Sequence, residues 1–178
     1  MADPDTTPTP APPTAGTKWR TPFDTRAAFT GHLQDALSRA QREIWIADRD
    51  FADWPLGAPA FAATLQAFLR TSAANQLKIL TLDAERIANG APRFLEVVRP
   101  HSITAQCRVV PPHAASRFGE ACSMMIVDRS LLVRRFHRDH LRGAAEFDPA
   151  AARPWLDQFE TLWEESSPAL AATTLGLG

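Results

Sequence analysis

The 178-residue chain has no tyrosine, only two lysines (Lys18 and Lys78) beside seventeen arginines, and only two cysteines, Cys107 and Cys122. Two cysteines without C-x-x-C spacing make neither a disulfide scaffold nor a zinc motif, which points to a reducing, cytoplasmic setting. No run of residues approaches the ~18 consecutive apolar positions of a membrane helix, so no membrane span is expected. The N-terminus lacks the basic region and apolar run of a secretory signal. Charge of one sign is not in excess either: nineteen basic and twenty acidic residues leave a formal −1. Bulk electrostatics therefore gives no drive toward nucleic acid or an anionic surface, and any such binding needs a local patch. There is no internal repeat and no G-x-S-x-G nucleophile elbow. The preference for arginine and alanine reads as the composition of a bacterial genome.

What is present divides into three parts. Residues 1–17 hold five of the fifteen prolines and no large apolar side chain after Met1, so they cannot bury enough surface to offset ordering. We expect a disordered Pro-rich tail over residues 1–20, one domain over 21–168 and a frayed C-terminus over 169–178. Within the domain, Asp24 or Thr25 is placed to cap a helix with Phe29, Leu33, Ala36, Leu37 and Ala40 on one face. Glu43–Asp48 reads as a buried strand, and Pro59 opens a helix built on Phe61, Leu65, Phe68 and Leu69. Leu77–Asp83 reads as a second strand, Arg93–Val98 as a short helix before Pro100, and Ile103, Ala105, Cys107 and Val109 as an alternating strand. Residues 111–120 read as loop. Ser123–Asp128 and Leu131–Phe136 form a hairpin turning at Asp128–Ser130, and Pro149 or Pro154 starts a last helix with Trp155, Phe159, Leu162 and Trp163 inward, stopped by Pro168. Strands alternating with helices and followed by a hairpin predict an α/β (α+β) fold: a mixed β-sheet flanked by helices.

The segments REIWIADRDF, LKILTLD, AQCRVVP, SMMIVDRSLLVRRFHRD and DQFETLWEES, in that order over residues 25–167, resemble the half-domain of the phospholipase D-like superfamily. That family's catalytic signature is His, any residue, Lys, four residues and Asp, followed by Gly-Ser and Asn. Laid on this chain, the signature's Asp is Asp128, whereas its nucleophilic His falls on Ala121 and its phosphate-binding Lys on Ser123. The Gly-Ser pair falls on Arg135-Phe136 and the Asn on Asp139. The resemblance thus implies the sandwich fold, a degenerate site, and a homodimer, because single-signature members of the superfamily pair face to face.

Residues 129–142 carry five arginines against one aspartate, while 143–167 carry six acidic residues against Arg153. The basic run suggests a phosphate or anion site using Arg135, His137, Arg138 and Arg142. Its bland alternative is pairing of these arginines with Glu146, Asp148, Asp157 and Glu164. Catalytic candidates, if any chemistry survives, are His137, His140 and Asp128, with the carboxylate orienting an imidazole. The H-x-D-H spacing of His137, Asp139 and His140 falls short of a metal set, so no metal and no cofactor are expected. Asp48, Asp83 and Asp128 each close a strand, where α/β proteins often build sites. Both cysteines read as buried apolar groups, Trp45, Trp155 and Trp163 as core, and Trp19 and Trp54 as exposed. These observations lead us to expect a non-catalytic module that binds a phosphate-containing ligand or a protein partner. The alternatives are a phosphodiesterase or nuclease with a rebuilt histidine site, and a nucleic-acid module on the basic run.

Overall fold

The computed structural model describes residues 17–119, 123–137 and 139–169. Eight strands form one sheet in the order β1-β7-β6-β5-β2-β3-β4-β8, and six helices accompany it among these residues. The parallel centre is β2 (Glu43–Ala47), β3 (Gln76–Thr81) and β4 (Ala105–Val109). The antiparallel flank is β5 (Ser123–Val127), β6 (Leu131–Arg135), β7 (Gly143–Phe147) and β1 (Trp19–Phe23). Strand β8 (Ser167–Ala169) closes the other edge on β4. The direction of pairing changes at β2, which is parallel to β3 and antiparallel to β5.

The central strands are apolar on both faces because both faces are covered. Ile44, Ile46, Leu77, Ile79, Met125, Val127, Leu131 and Val133 point into one core; Trp45, Ala47, Leu80, Met124, Ile126 and Leu132 point into the other. The first core is closed by α1 (Arg26–Arg39), α2 (Pro59–Thr71), α3 (Ala84–Gly90) and α4 (Pro92–Val98). The second is closed by α6 (Pro149–Glu165) with Phe118 of the short α5 (Ala115–Phe118).

Helix starts follow local chemistry. Thr25 is the cap of α1, its hydroxyl accepting from the Ala28 N–H at 3.2 Å. Pro59 opens α2, and Asp148 caps α6 through the Ala150 N–H, so the chain chooses Pro149 over Pro154 as the helix start. Asp83 caps α3 in the same way, accepting from the Arg86 N–H.

Four expectations need correction. Strands β1, β7 and β8 were not anticipated: β1 places Trp19 and Arg20 in the sheet, inside the stretch assigned to the tail, and β8 places Ala169 there, inside the stretch assigned to the frayed C-terminus; residues 1–16 and 170–178 lie outside the described residues. Ile103 does not belong to a strand: it stands 84% exposed in the turn before β4. The segment 111–120 is more than loop, since Pro112–Ala114 makes a 3-10 turn and Ala115–Phe118 a helix. Trp54 is buried rather than exposed. No helix among the described residues is long and apolar enough to cross a membrane.

The hairpin turn is held from outside the hairpin. Asp128 and Arg129 both have left-handed backbones, with φ of 47° and 60°. The Asp128 carboxylate accepts N–H bonds from Gln41, Arg42 and Glu43 at 2.8, 2.8 and 2.9 Å. Asp128→Ala removes all three acceptors and puts alanine in an unfavourable φ, with an expected cost of about 2 kcal/mol. Asp128→Asn, which tolerates that φ and keeps one acceptor, should lose about half as much. Urea unfolding of the pair checks this: no loss for Asp128→Asn, with the whole cost confined to Asp128→Ala, would mean that the turn's φ and not the carboxylate's bonds to the α1–β2 connection sets the stability.

Candidate functional site: a cleft at the sheet's switch point

Chain reversal at β2 leaves a crevice beyond the carboxyl ends of the parallel strands, where open α/β sheets collect ligands. A cavity of about 670 Å³ opens there. Its walls are the loop after β2 (Asp48, Arg49, Asp50 and Asp53), the start of β5 (Ser123), the end of β6 (Arg135), Asp139, and the α5 segment with Ser116 and Gly119.

The loop after β2 is organised by Asp48, which is only 6% exposed. One carboxylate oxygen accepts the Asp50 and Phe51 N–H groups at 3.0 and 2.8 Å, and the other accepts the Trp54 indole N–H at 2.9 Å. The tight turn pushes Phe51 to a φ of 57°. Trp54, 7% exposed, packs edge-on against Phe29 and Phe51 with ring centroids 5.9 and 5.0 Å apart. Its indole nitrogen also lies 3.2 Å from the Ser123 hydroxyl. An aromatic ring thus wedges the loop into the first core while its polar edge stays tied to the cleft.

Arg135 is 6% exposed, with its guanidinium 5.7 Å above the Phe29 ring. Asp53 reaches it from the loop at 2.8 Å, and the other Asp53 oxygen meets Arg26 of α1 at 2.5 Å. The floor of the cleft is tied as well: the Arg49 carbonyl accepts the Thr81 hydroxyl and the Leu82 and Asp83 N–H groups. The α5 wall is fastened to α6 by the Arg117–Glu165 pair and by Gln158 donating to the Arg117 carbonyl. The Arg117 hydrogen bond holds Glu165 below the ordinary carboxylate range.

The structure places the sequence candidates in different regions. Asp48, Ser123 and Arg135 line the cleft, as does Asp139. His137 and His140 are exposed and adjacent, ring centroids 6.4 Å apart, and neither lines the cleft; Arg142 is exposed as well. Asp128 sits at the opposite end of β5, about 16 Å of strand away from Ser123, so it is not brought together with either histidine. Ala121, Cys122 and Arg138 lie outside the described residues.

The basic run is largely committed, though to partners other than the four acidic residues named above. Arg129 pairs with Glu43 at 2.9 Å and Glu160 at 3.8 Å, and Arg134 lies between the rings of Trp155 and Phe136 at 4.1 and 4.7 Å. Asp148 and Glu146 are taken by Lys18 and Arg20 instead. Cys107 is buried as expected, and burial pushes its thiol up to about 12, so it is no nucleophile. Among the described residues no three His, Cys, Asp or Glu side chains gather as metal ligands. The sequence reading missed Arg26, Asp53 and Trp54. The three aspartates of DRDFADW, at turn-forming spacing before a helix, were the available signal for the loop.

A family model described as "Domain of unknown function (DUF7931)" matches residues 25–175. No curated protein matches the chain. Among solved structures, Nuc from Salmonella typhimurium, a phospholipase D family member, is similar at 11% identity and TM-score 0.57, over 86% of this chain and 99% of that one. NucT from Helicobacter pylori is similar at 10% identity and TM-score 0.58, over 86% and 100%. The archaeal chromatin protein TrmBL2, whose structure "shows a novel mode of DNA binding", is similar at 15% identity and TM-score 0.61 over 92% of this chain. This chain spans 56% of that protein's length. The shared architecture is the α+β phospholipase D-like sandwich.

Proposed function

We propose, for a chain that belongs to the DUF7931 family of domains of unknown function, that it is a non-catalytic phospholipase D-like domain whose cleft binds a ligand or partner without cleaving it. The observation that carries this reading is Ser123. It lines the cleft wall, the resemblance lays the superfamily signature's lysine on it, and its hydroxyl is engaged by the Trp54 indole. A hydroxyl there supplies neither the cation that grips a phosphodiester nor a base to activate a nucleophile. Two further polar groups of the cleft are engaged within the domain: Asp48 accepts the loop's own N–H groups, and Arg135 is paired with Asp53. A catalytic site instead keeps its donors aimed at charge that develops during reaction.

The nuclease reading would rest on His137 and His140, which are mutually close but outside the cleft. The nucleic-acid reading would rest on the 129–142 run, in which Arg129, Arg134 and Arg135 already have partners inside the domain.

The test is hydrolysis of bis(p-nitrophenyl) phosphate by the purified protein, with and without magnesium or manganese, beside a His137→Ala, His140→Ala double variant. The expected result is the same background rate for both proteins under every condition. Turnover that disappears in the double variant would establish a rebuilt histidine site and sink the non-catalytic reading.

A further inference from the structure

We propose that residues 3–14, the Pro-rich stretch ahead of β1, dock in polyproline II form on the α6 side of the sheet, across a row of side chains made by Trp155, Arg134, Phe136 and Arg20.

The second core, which α6 covers, reaches outward only as far as Leu132 of β6. The strands beyond it, β7 and β1, carry Glu146, Ala144, Arg20 and Pro22 on this same face, because the register sets Glu146 and Arg20 in line with Leu132, and Ala144 and Pro22 in line with Arg134. Arg20 and Pro22 are exposed there. Helices α1 to α4 give no cover, since they pack on the opposite face. What crosses this ground is an alternation of rings and guanidinium groups. Arg134 lies 4.1 Å from the centre of the Trp155 ring and 4.7 Å from that of Phe136, and Arg20 lies 5.7 Å from the Phe136 ring in turn. Trp155 and Phe136 are half-buried, so each keeps part of its ring in water. At the end of the row the Arg20 side chain is 61% exposed and only loosely paired, 3.7 Å from Glu146. Aromatic surfaces of this kind receive Pro-rich chains, whose preformed helix loses little entropy on docking.

The occupant follows from where the chain enters the sheet. Strand β1 starts at Trp19, on the border of this face. From Trp19 to the level of Arg134 is three residues along the strand and two strands across, about 14 Å. Five residues of polyproline II span that distance at about 3.1 Å each. Gly16 permits the reversal that returns the chain over the sheet, and the five residues before it bring Pro12 and Pro13 to the rings, with Pro10 next in line. The stretch holds Asp3 and Asp5 and no lysine or arginine, so it brings no like charge to Arg20. A tether this short imposes an effective concentration of about a millimolar, so a contact of similarly weak affinity is occupied about half the time.

The experiment places a nitroxide on Thr9→Cys in the full chain, with Cys107 and Cys122 changed to alanine, and reads the broadening of nitrogen-15 NMR signals. The Trp155 indole N–H reports the docking face. The His32 amide is the control, because His32 and Trp19 line one hollow on the opposite face, equally near the start of β1. The expected broadening at Trp155 is at least about twofold that at His32. Changing Pro10, Pro12 and Pro13 to glycine should bring the two signals level, and so should Phe136→Leu in the domain. Equal broadening of both signals in the unmodified tail, or an excess at Trp155 that survives either change, overturns the proposal. Should Phe136→Leu not fold, the glycine variant decides, since it alters nothing within the domain. The same excess on enriched protein mixed with nitroxide-bearing, unenriched protein would mean that a second copy supplies the segment, and would also overturn it.

Discussion

Asp48→Ala is expected to lower the unfolding free energy by about 3–4 kcal/mol, because three donors to one buried, charged acceptor lose it together. The Asp50 and Phe51 N–H groups and the Trp54 indole N–H all converge on this carboxylate. Phe51 and Trp54 are themselves core residues and Asp48 is only 6% exposed at the cleft wall, so water entering from the cleft replaces the acceptor only in part. Asp48→Asn separates charge from shape. One oxygen can still serve the two backbone donors, but an amide turned that way presents N–H to the indole N–H, and the loss should be about 2 kcal/mol. Urea denaturation with tryptophan fluorescence reads both variants. A loss below about 1 kcal/mol for alanine would mean the loop is held by Trp54 packing alone. The same variant bears on the cleft: with Asp48 gone, the Trp54 indole N–H is left to the Ser123 hydroxyl among the described residues, and the loop that carries Asp53 loses its fixed path.

How far the sequence foretold this arrangement depends on whether the determining interactions are local. Helix starts were legible because caps act within four residues: Thr25, Pro59 and Asp148 are each where the chain's own chemistry puts them. Strands β2, β3, β5 and β6 were legible because two covered faces demand continuous apolar runs. Strands β1 and β7 were not, since WRTPF contains a proline and GAAEF offers small residues in place of β-branched ones. They are strands because their neighbours make them so, which is the context dependence that weakens any local β signal. The cleft shows the same division. Asp48, Ser123 and Arg135 could be pointed to from strand ends, while the Arg26–Asp53–Arg135 contact joins positions up to 109 residues apart and leaves no periodicity to read. Asp128 was found for one reason and serves another: its carboxylate caps the α1–β2 connection, at the end of β5 opposite the one where β6 leads to His137.

The most damaging single substitution we expect is Gly143→Ala, and the reason lies in the packing of β1 rather than in backbone freedom. Gly143 is the residue at which β7 faces Phe23 on one side and Arg135 on the other. A methyl group there would lie 2.2 Å from the Arg134 carbonyl oxygen and 2.4 and 2.7 Å from two carbons of the Phe23 ring. Neither neighbour can yield cheaply. The carbonyl belongs to the backbone of β6, next to Arg135 of the cleft wall, and Phe23 is 5% exposed with its ring centroid 5.4 Å from that of Phe29, the planes tilted by 34°. Relief requires β7 to part from β6 or β1 to leave the sheet, and we expect a loss of at least about 3 kcal/mol. Gly31 supplies the matched control: it sits inside α1 with nothing within 4 Å of an added methyl. Gly31→Ala should therefore stabilise by about 0.5–1 kcal/mol through helix propensity. Thermal and urea unfolding of the two variants distinguish the causes, since an effect of glycine removal in general would give both the same sign. Phe23→Ala added to Gly143→Ala should recover only part of the second loss in a double-mutant cycle, because the Arg134 carbonyl stays in place. Full recovery would show that the ring alone excludes the side chain, and a loss below about 1 kcal/mol in the single variant would show that β1 is not held as tightly to the sheet as its register implies.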